Sequence, residues 1–310
     1  MRKLALLASI ISFVSVATVA QMPAKSLVER LGYPAGSKLL IVHGDDLGAA
    51  HSINIATIKA FEGGLVNSGS IMIPCPWLLE IATYARSHPE ADLGLHLTLT
   101  SEWTPYRWGP VLSKDRVTSL LDSNGYFYLT ESEAAAKANP KEAEAEVRAQ
   151  IERAKSVGIQ PTHFDSHMGT LYQNKELFDI LLRLGREYKV PVRLPRELVE
   201  GVPFLPSLLT PNDVVIDNVI TINPSVTAEG WTKYYADELK NIKPGITEMV
   251  VHIAYDDAEM KGMTFDHPNW GAAWRQRDFD FLTGDSFRSL LKDNNIKLIT
   301  WREVGKLIQK

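Results

Sequence analysis

From Lys38 onward, apolar β-branched runs alternate with longer amphipathic segments, and this alternation constrains the fold more than any other feature of the chain. Repeated strand–helix units wrap a parallel sheet, because each crossover must carry the chain back before the next strand can start in the same direction. The spacing predicts strands near residues 38–43, 68–73, 92–97, 160–164, 190–194, 214–222, 247–253 and 296–300. Eight is the number that a closed (β/α) barrel needs. Helices are clearest over 141–157, where Val147, Ile151 and Ala154 form a stripe that Gly158 stops, and over 175–188, where Leu177, Leu181, Leu184 and Tyr188 share a face. A last helix is expected over 302–308. No Pro/Ser-rich linker or internal repeat interrupts the alternation, so residues 21–310 are expected to form one α/β domain.

The first twenty residues follow another logic. Arg2 and Lys3 precede an uncharged apolar run from Leu4 to Val19, and Ala20 supplies a small residue before a cut. This is the layout of a secretory signal peptide, and it is too short for a comfortable bilayer span, although an uncleaved anchor is the alternative. The expected product is therefore exported, periplasmic or extracellular, and free of the membrane after cleavage. Cys75 is the single cysteine, so an internal disulfide is excluded and the core must hold the fold. Without Arg2 and Lys3, 31 basic residues stand against 37 acidic ones, a net charge of −6 that invites neither nucleic acid nor an anionic membrane.

Four of the apolar runs end in histidine or aspartate. Leu39–Val42 reaches His43-Gly44-Asp45-Asp46, Leu93–Leu95 reaches His96, Thr162 leads into His163-Phe164-Asp165-Ser166-His167, and Met249–Val251 reaches His252. Nitrogen and oxygen groups at the carboxyl edge of a parallel sheet are what a metal or acid–base site looks like. A water-activating metal needs two or three side-chain ligands and a nearby base, and Asp45, Asp46, His96 and His167 offer that set. Each residue also has a plainer reading. The aspartate pair could cap a helix over 47–61, His96 and His163 could be hydrogen-bonded core residues, and His252 could be a core residue or a general acid. His51 and His88 read as surface residues, and His267 lies in a loop before Pro268. Cys75, flanked by prolines with no base in view, reads as a buried inert thiol. There is no Gly-rich phosphate loop and no G-x-S-x-G elbow. Two long polar connections, 101–131 and 255–285, follow histidine-ending strands and carry Trp103, Tyr106, Trp108, Phe265, Trp270 and Trp274. These rings suit sugar faces, or they pin the loops.

Three segments, His43-Gly44-Asp45-Asp46-Leu47-Gly48, Gly94-Leu95-His96-Leu97-Thr98-Leu99-Thr100 and Pro161-Thr162-His163-Phe164-Asp165-Ser166-His167, resemble in order and spacing the main motifs of the YdjC-like carbohydrate deacetylase family (ChbG/HpnK family). The resemblance implies a distorted (β/α) barrel that removes acetyl groups from N-acetylated sugars with a divalent metal, Mg2+ or Zn2+. It implies Asp46, His96 and His167 as metal ligands, Asp45 as general base, His252 as general acid, and Arg193 as a residue orienting the base or substrate. A homodimer is compatible with it. The chain departs from the family pattern at His43, where asparagine is usual, at Met168-Gly169-Thr170, where further histidines follow, and at Ile253-Ala254, in place of Pro-Gly. These departures bear on the substrate. The alternatives are an exported glycan-binding protein without turnover and a metal-dependent hydrolase of another amide or ester.

Overall fold

A computed structural model describes residues 25–308 of the chain; the expected signal segment and its cut near Ala20 lie outside them. Among the described residues seven strands, β1 (Lys38–Leu47), β2 (Ser68–Ile71), β3 (Leu93–Leu97), β4 (Phe164–Ser166), β5 (Asn218–Thr221), β6 (Gly245–Val251) and β7 (Ile296–Leu298), form one parallel sheet. Its order is β4-β3-β2-β1-β6-β5, and β7 pairs with the first residues of β1. β1 and β6 are buried along nearly their whole length, as expected of central strands covered on both faces.

The expected strand over 190–194 is not a ladder. It makes single parallel bridges, Phe164↔Val192 on one side and Pro195↔Ile216 on the other. Pro191 and Pro195 have no N–H to donate, so the pairing cannot spread along the segment. Arg193 nevertheless donates its N–H to the Phe164 carbonyl (2.9 Å), and Ile216 donates to that of Leu194 (3.0 Å). These contacts carry the sheet from β4 round to β5, and the result is a distorted barrel.

The helix expected over 141–157 spans Pro140–Ser156, with Asn139 accepting the Lys141 N–H and Gly158 at φ +90° ending it. Val147, Ile151 and Ala154 are fully buried, and each branched aliphatic among them contributes roughly 1.5–3 kcal/mol. Lys175–Tyr188 forms as expected, and the last helix runs over Trp301–Gly305, one residue earlier at its start. The second polar connection is not a loop throughout. It holds the helices Ala258–Met263 and Ala272–Thr283. In the latter, Arg275 and Asp278 are buried on the inward face, and these polar residues hide the apolar period.

Candidate metal and acid–base site

The aspartate pair lies inside β1, and the helix after it begins only at His51. The capping reading therefore fails: Ala50 is the N-cap and offers no side chain, while Glu259 accepts the N–H groups of His51 (3.2 Å) and Ser52 (2.8 Å). What the pair makes instead is a bulge. Gly44 faces Gly69 and Leu47 faces Ile71, so Asp45 and Asp46 together oppose the single residue Ser70. A bulge re-aims side chains that would otherwise alternate across the sheet. Asp46 takes φ +68°, a conformation that aspartate tolerates better than most residues, and Gly48 follows at φ +90°.

His96 sits on β3 in register with Asp165 of β4, His167 follows β4 directly, and His252 follows β6. The three histidines open, with Asp45, Asp46 and Arg193, onto a cavity of about 640 Å3 at the carboxyl end of the strands. Asp46 Oδ1 lies 3.5 Å from His96 Nε2 and 3.4 Å from His167 Nδ1. That oxygen is buried and has no hydrogen-bond partner. Every outward-facing atom of the three is taken: His96 Nδ1 by Asp165 Oδ1 (2.8 Å), His167 Nε2 by Glu102 Oε2 (2.8 Å), and Asp46 Oδ2 by Arg275 Nη2 (2.7 Å). Ligand atoms about 2.1 Å from a shared ion lie about 3.0–3.4 Å apart, and histidine ligands are ordinarily steadied by a carboxylate on the other nitrogen. The buried group can hold a metal ion. Its electrostatics agree. Burial opposes charge on His167, but Glu102 and Asp46 outweigh it and raise the pKa to about 10; His96 is raised too, with Asp165 and Asp45 overcoming burial. The site draws positive charge to the place where the three atoms converge.

Asp45 stands beside this group. Its Oδ1 is 2.9 Å from His43 Nε2 and accepts from Ser70 Oγ (3.3 Å), while Oδ2 lies 4.0 Å from His252 Nε2. Burial would raise its pKa, but His96 and His43 hold it at about 2, so it is a carboxylate at neutral pH. For His252, burial, helped by the Arg275 charge, outweighs the pull of Asp46 and Asp45 and lowers the pKa to about 4. Its backbone N–H donates to buried Asp278 (3.0 Å). Arg193 lines the cavity and donates through Nε to Glu248 (2.5 Å), which also accepts from Trp301 Nε1 (2.8 Å).

Three residues of the site were not assigned from sequence. Asp165 lay inside the third motif, two residues before His167, but its position opposite His96 shows only in the sheet register. Glu102 and Arg275 stand in the long connections with no periodic signal. His163 is a core residue, its ring stacked on Trp301; a Cβ on Gly94 would lie 2.5 Å from its Nε2, so only glycine leaves room for the ring. Cys75 is buried, and burial pushes its pKa well up. Among the aromatics, Trp103, Trp108 and Trp274 are buried and Tyr106 donates to the Ala49 carbonyl (2.8 Å), which pins the loops. Trp270, 37% exposed on the cavity wall, is the ring placed to meet a ligand.

A family model described as YdjC-like protein matches residues 39–293. A protein of Thermus thermophilus named carbohydrate deacetylase is 32% identical over 288 residues, covering 91% of this chain and 99% of that protein. A carbohydrate deacetylase of Brevibacillus brevis is 28% identical over 278 residues, covering 86% and 99%. Among solved structures, a protein of Enterococcus faecalis V583 described as a putative cellobiose-phosphate cleavage protein superposes with a TM-score of 0.71 at 25% identity, covering 86% of this chain and 99% of that one.

Proposed function

The chain belongs to the YdjC-like family, and we propose that it is a metal-dependent hydrolase that removes acetyl groups from N-acetylated carbohydrates. The observation that carries this reading is the unpartnered Asp46 Oδ1, facing His96 and His167 with the Asp45 carboxylate beside it in an open cavity. Asp46, His96 and His167 are the proposed ligands. A divalent ion such as Mg2+ or Zn2+ held there would supply Lewis acidity to the water and the amide carbonyl.

The protein's own groups then divide the proton work. Asp45, ionised and held at Oδ1 by His43, presents Oδ2 as the base that takes the proton of the attacking water. The departing amine needs a proton. His252 is neutral in the free protein, so it acts as an acid only after receiving a proton within the cycle, and Asp45 Oδ2 at 4.0 Å is the nearest donor of one. Arg193, braced by Glu248, sets the cavity wall behind the aspartate. Water adds across the amide, and acetate and a free amino sugar leave.

The test is acetate release from N-acetylated mono- and oligosaccharides by protein stripped of metal and reloaded with Mg2+, Zn2+ or Co2+. Release that depends on reloading supports the reading; sugar binding without release under all three ions would favour a glycan-binding protein. Export after cleavage near Ala20 belongs to the same proposal, and N-terminal sequencing of the mature protein tests it.

A further inference from the structure

Resting on the metal reading above, we propose that Arg275 is a positioning residue that makes Asp46 a one-oxygen ligand and ties it to the lip of the cavity. A carboxylate can offer a cation one oxygen or two. Arg275 Nη2 donates to Asp46 Oδ2 at 2.7 Å, which leaves Oδ1 alone to face His96 and His167. Asp46 sits in a bulge at positive φ, so its backbone is not braced by a regular ladder, and the guanidinium is the contact that fixes the rotation of its carboxylate.

The same guanidinium reaches two other places. Its Nε donates to the Trp270 carbonyl at 2.5 Å, and its plane lies over the Trp103 ring, 5.4 Å from the centroid. Trp103 belongs to the first long connection and Trp270 to the second, so both walls of the cavity and the proposed ligand meet on one side chain. Trp270 itself is at φ +56° and needs a tertiary contact to stay there. Arg275 is 2% exposed and its Nη1 has no partner. Burying a cation with one donor unused is costly, and an apolar residue of similar volume commonly serves stability as well or better. Its place beside Asp46 is therefore better explained by the ligand geometry than by the core. Its charge also offsets that of Asp46, against which it lies.

The experiment uses the full mature chain loaded with Co2+, whose visible absorption reports coordination number, in wild type, R275M and R275K. Three quantities are read: the Co2+ spectrum, Co2+ affinity, and kcat and KM for acetate release. In R275M, Asp46 is free to chelate through both oxygens, so the absorption should weaken, affinity should stay within about threefold or tighten, and kcat should fall at least 100-fold. R275K keeps a charge but cannot hold both Asp46 and the Trp270 carbonyl, so its affinity should equal the wild-type value while its spectrum and kcat change as in R275M. A merely structural arginine would lower melting temperature and metal content together and leave the spectrum of the bound fraction unchanged; that result overturns the proposal. So does R275M, or R275K if R275M does not fold, with a wild-type spectrum and kcat within threefold. Wild-type protein that takes up no Co2+ overturns the metal reading and this inference together, whereas wild-type uptake and turnover matched by the variants overturns this inference alone.

Discussion

Two buried groups in this barrel have nearly the same composition, and their hydrogen-bonding capacity is used in opposite ways. Asp46, His96 and His167 form one group on the cavity; His43, His163 and Asp165 form another, which meets the first where Asp165 contacts His96 (2.8 Å). In the second group the lone pairs are spent. His43 Nδ1 meets Ser68 Oγ at 3.1 Å, its Nε2 meets Asp45 and Ser70, and Asp165 is taken by His96 and Ser70. His163 keeps one unpartnered nitrogen, but its ring is sealed against Trp301 and Gly94, and burial, with the charge of His43, lowers its pKa to about 3. In the first group the outward atoms are spent and the inward ones are free. Proximity of ligand atoms is common to both; free lone pairs with a route to solvent belong only to the first.

The sharpest break of this contrast compares histidines. His167→Ala should lose bound metal and acetate release together, while His163→Ala should keep its metal stoichiometry and lose about 2–3 kcal/mol of stability for the vacated ring. Metal analysis beside thermal unfolding decides it, and a His163 variant that lost its metal would erase the distinction. Next in size, Asp45→Asn should retain metal and lose about 10²- to 10⁴-fold in kcat, as expected for a missing base. Turnover near wild type would remove Asp45 from that role. Glu102→Gln leaves every ligand in place but weakens the carboxylate behind His167, so metal affinity should drop about 10- to 100-fold by isothermal titration.

The two groups should also part company with pH. His43 and His167 both have pKa values raised from 6.5 to about 10 in the metal-free fold. For His43 burial opposes the shift, and hydrogen bonds and charge from Asp165 and Asp45 overcome it. A raised pKa means that the folded state holds the proton more tightly, so the stability is fully present below about 6.5 and is lost as pH climbs through about 10. Metal-free protein should therefore melt at progressively lower temperature across that window. With His167 as a ligand, loading the metal would replace its proton, and should abolish its share of the loss and leave that of His43; identical pH profiles with and without metal would contradict the division. The smallest effect is at the lip. Trp270→Ala should raise KM a fewfold to about tenfold with kcat nearly unchanged, since it removes a stacking face and no reacting group.

Much of the site was legible because sheets put strand ends side by side. Asp45, Asp46, His96, His167 and His252 follow apolar runs, and a parallel sheet brings the ends of such runs to one edge whatever lies between. Glu102 and Arg275 were not legible, because one stands in a loop and the other on a helix whose inward face carries Arg275 and Asp278 where apolar residues would have marked it. The strand expected over 190–194 shrank to two bridges because its flanking prolines cannot donate. The capping reading of the aspartates was reasonable from local preference and failed because β1 runs on through the bulge to Leu47 and the helix starts only at His51.

The alternation of runs and the residues at their ends are properties of order along the chain, and they suffice for an α/β barrel with histidine and aspartate gathered at one edge. Which of those atoms are free is a property of neighbours far apart in sequence. Asp46 Oδ1 is available because Arg275, 229 residues away, holds Oδ2, and His43 is occupied because β2 brings Ser68 opposite it and Ser70 within reach of its other nitrogen. Hydrogen-bond capacity is short-ranged and used up pair by pair, so the difference between a ligand set and a core network is settled by folding.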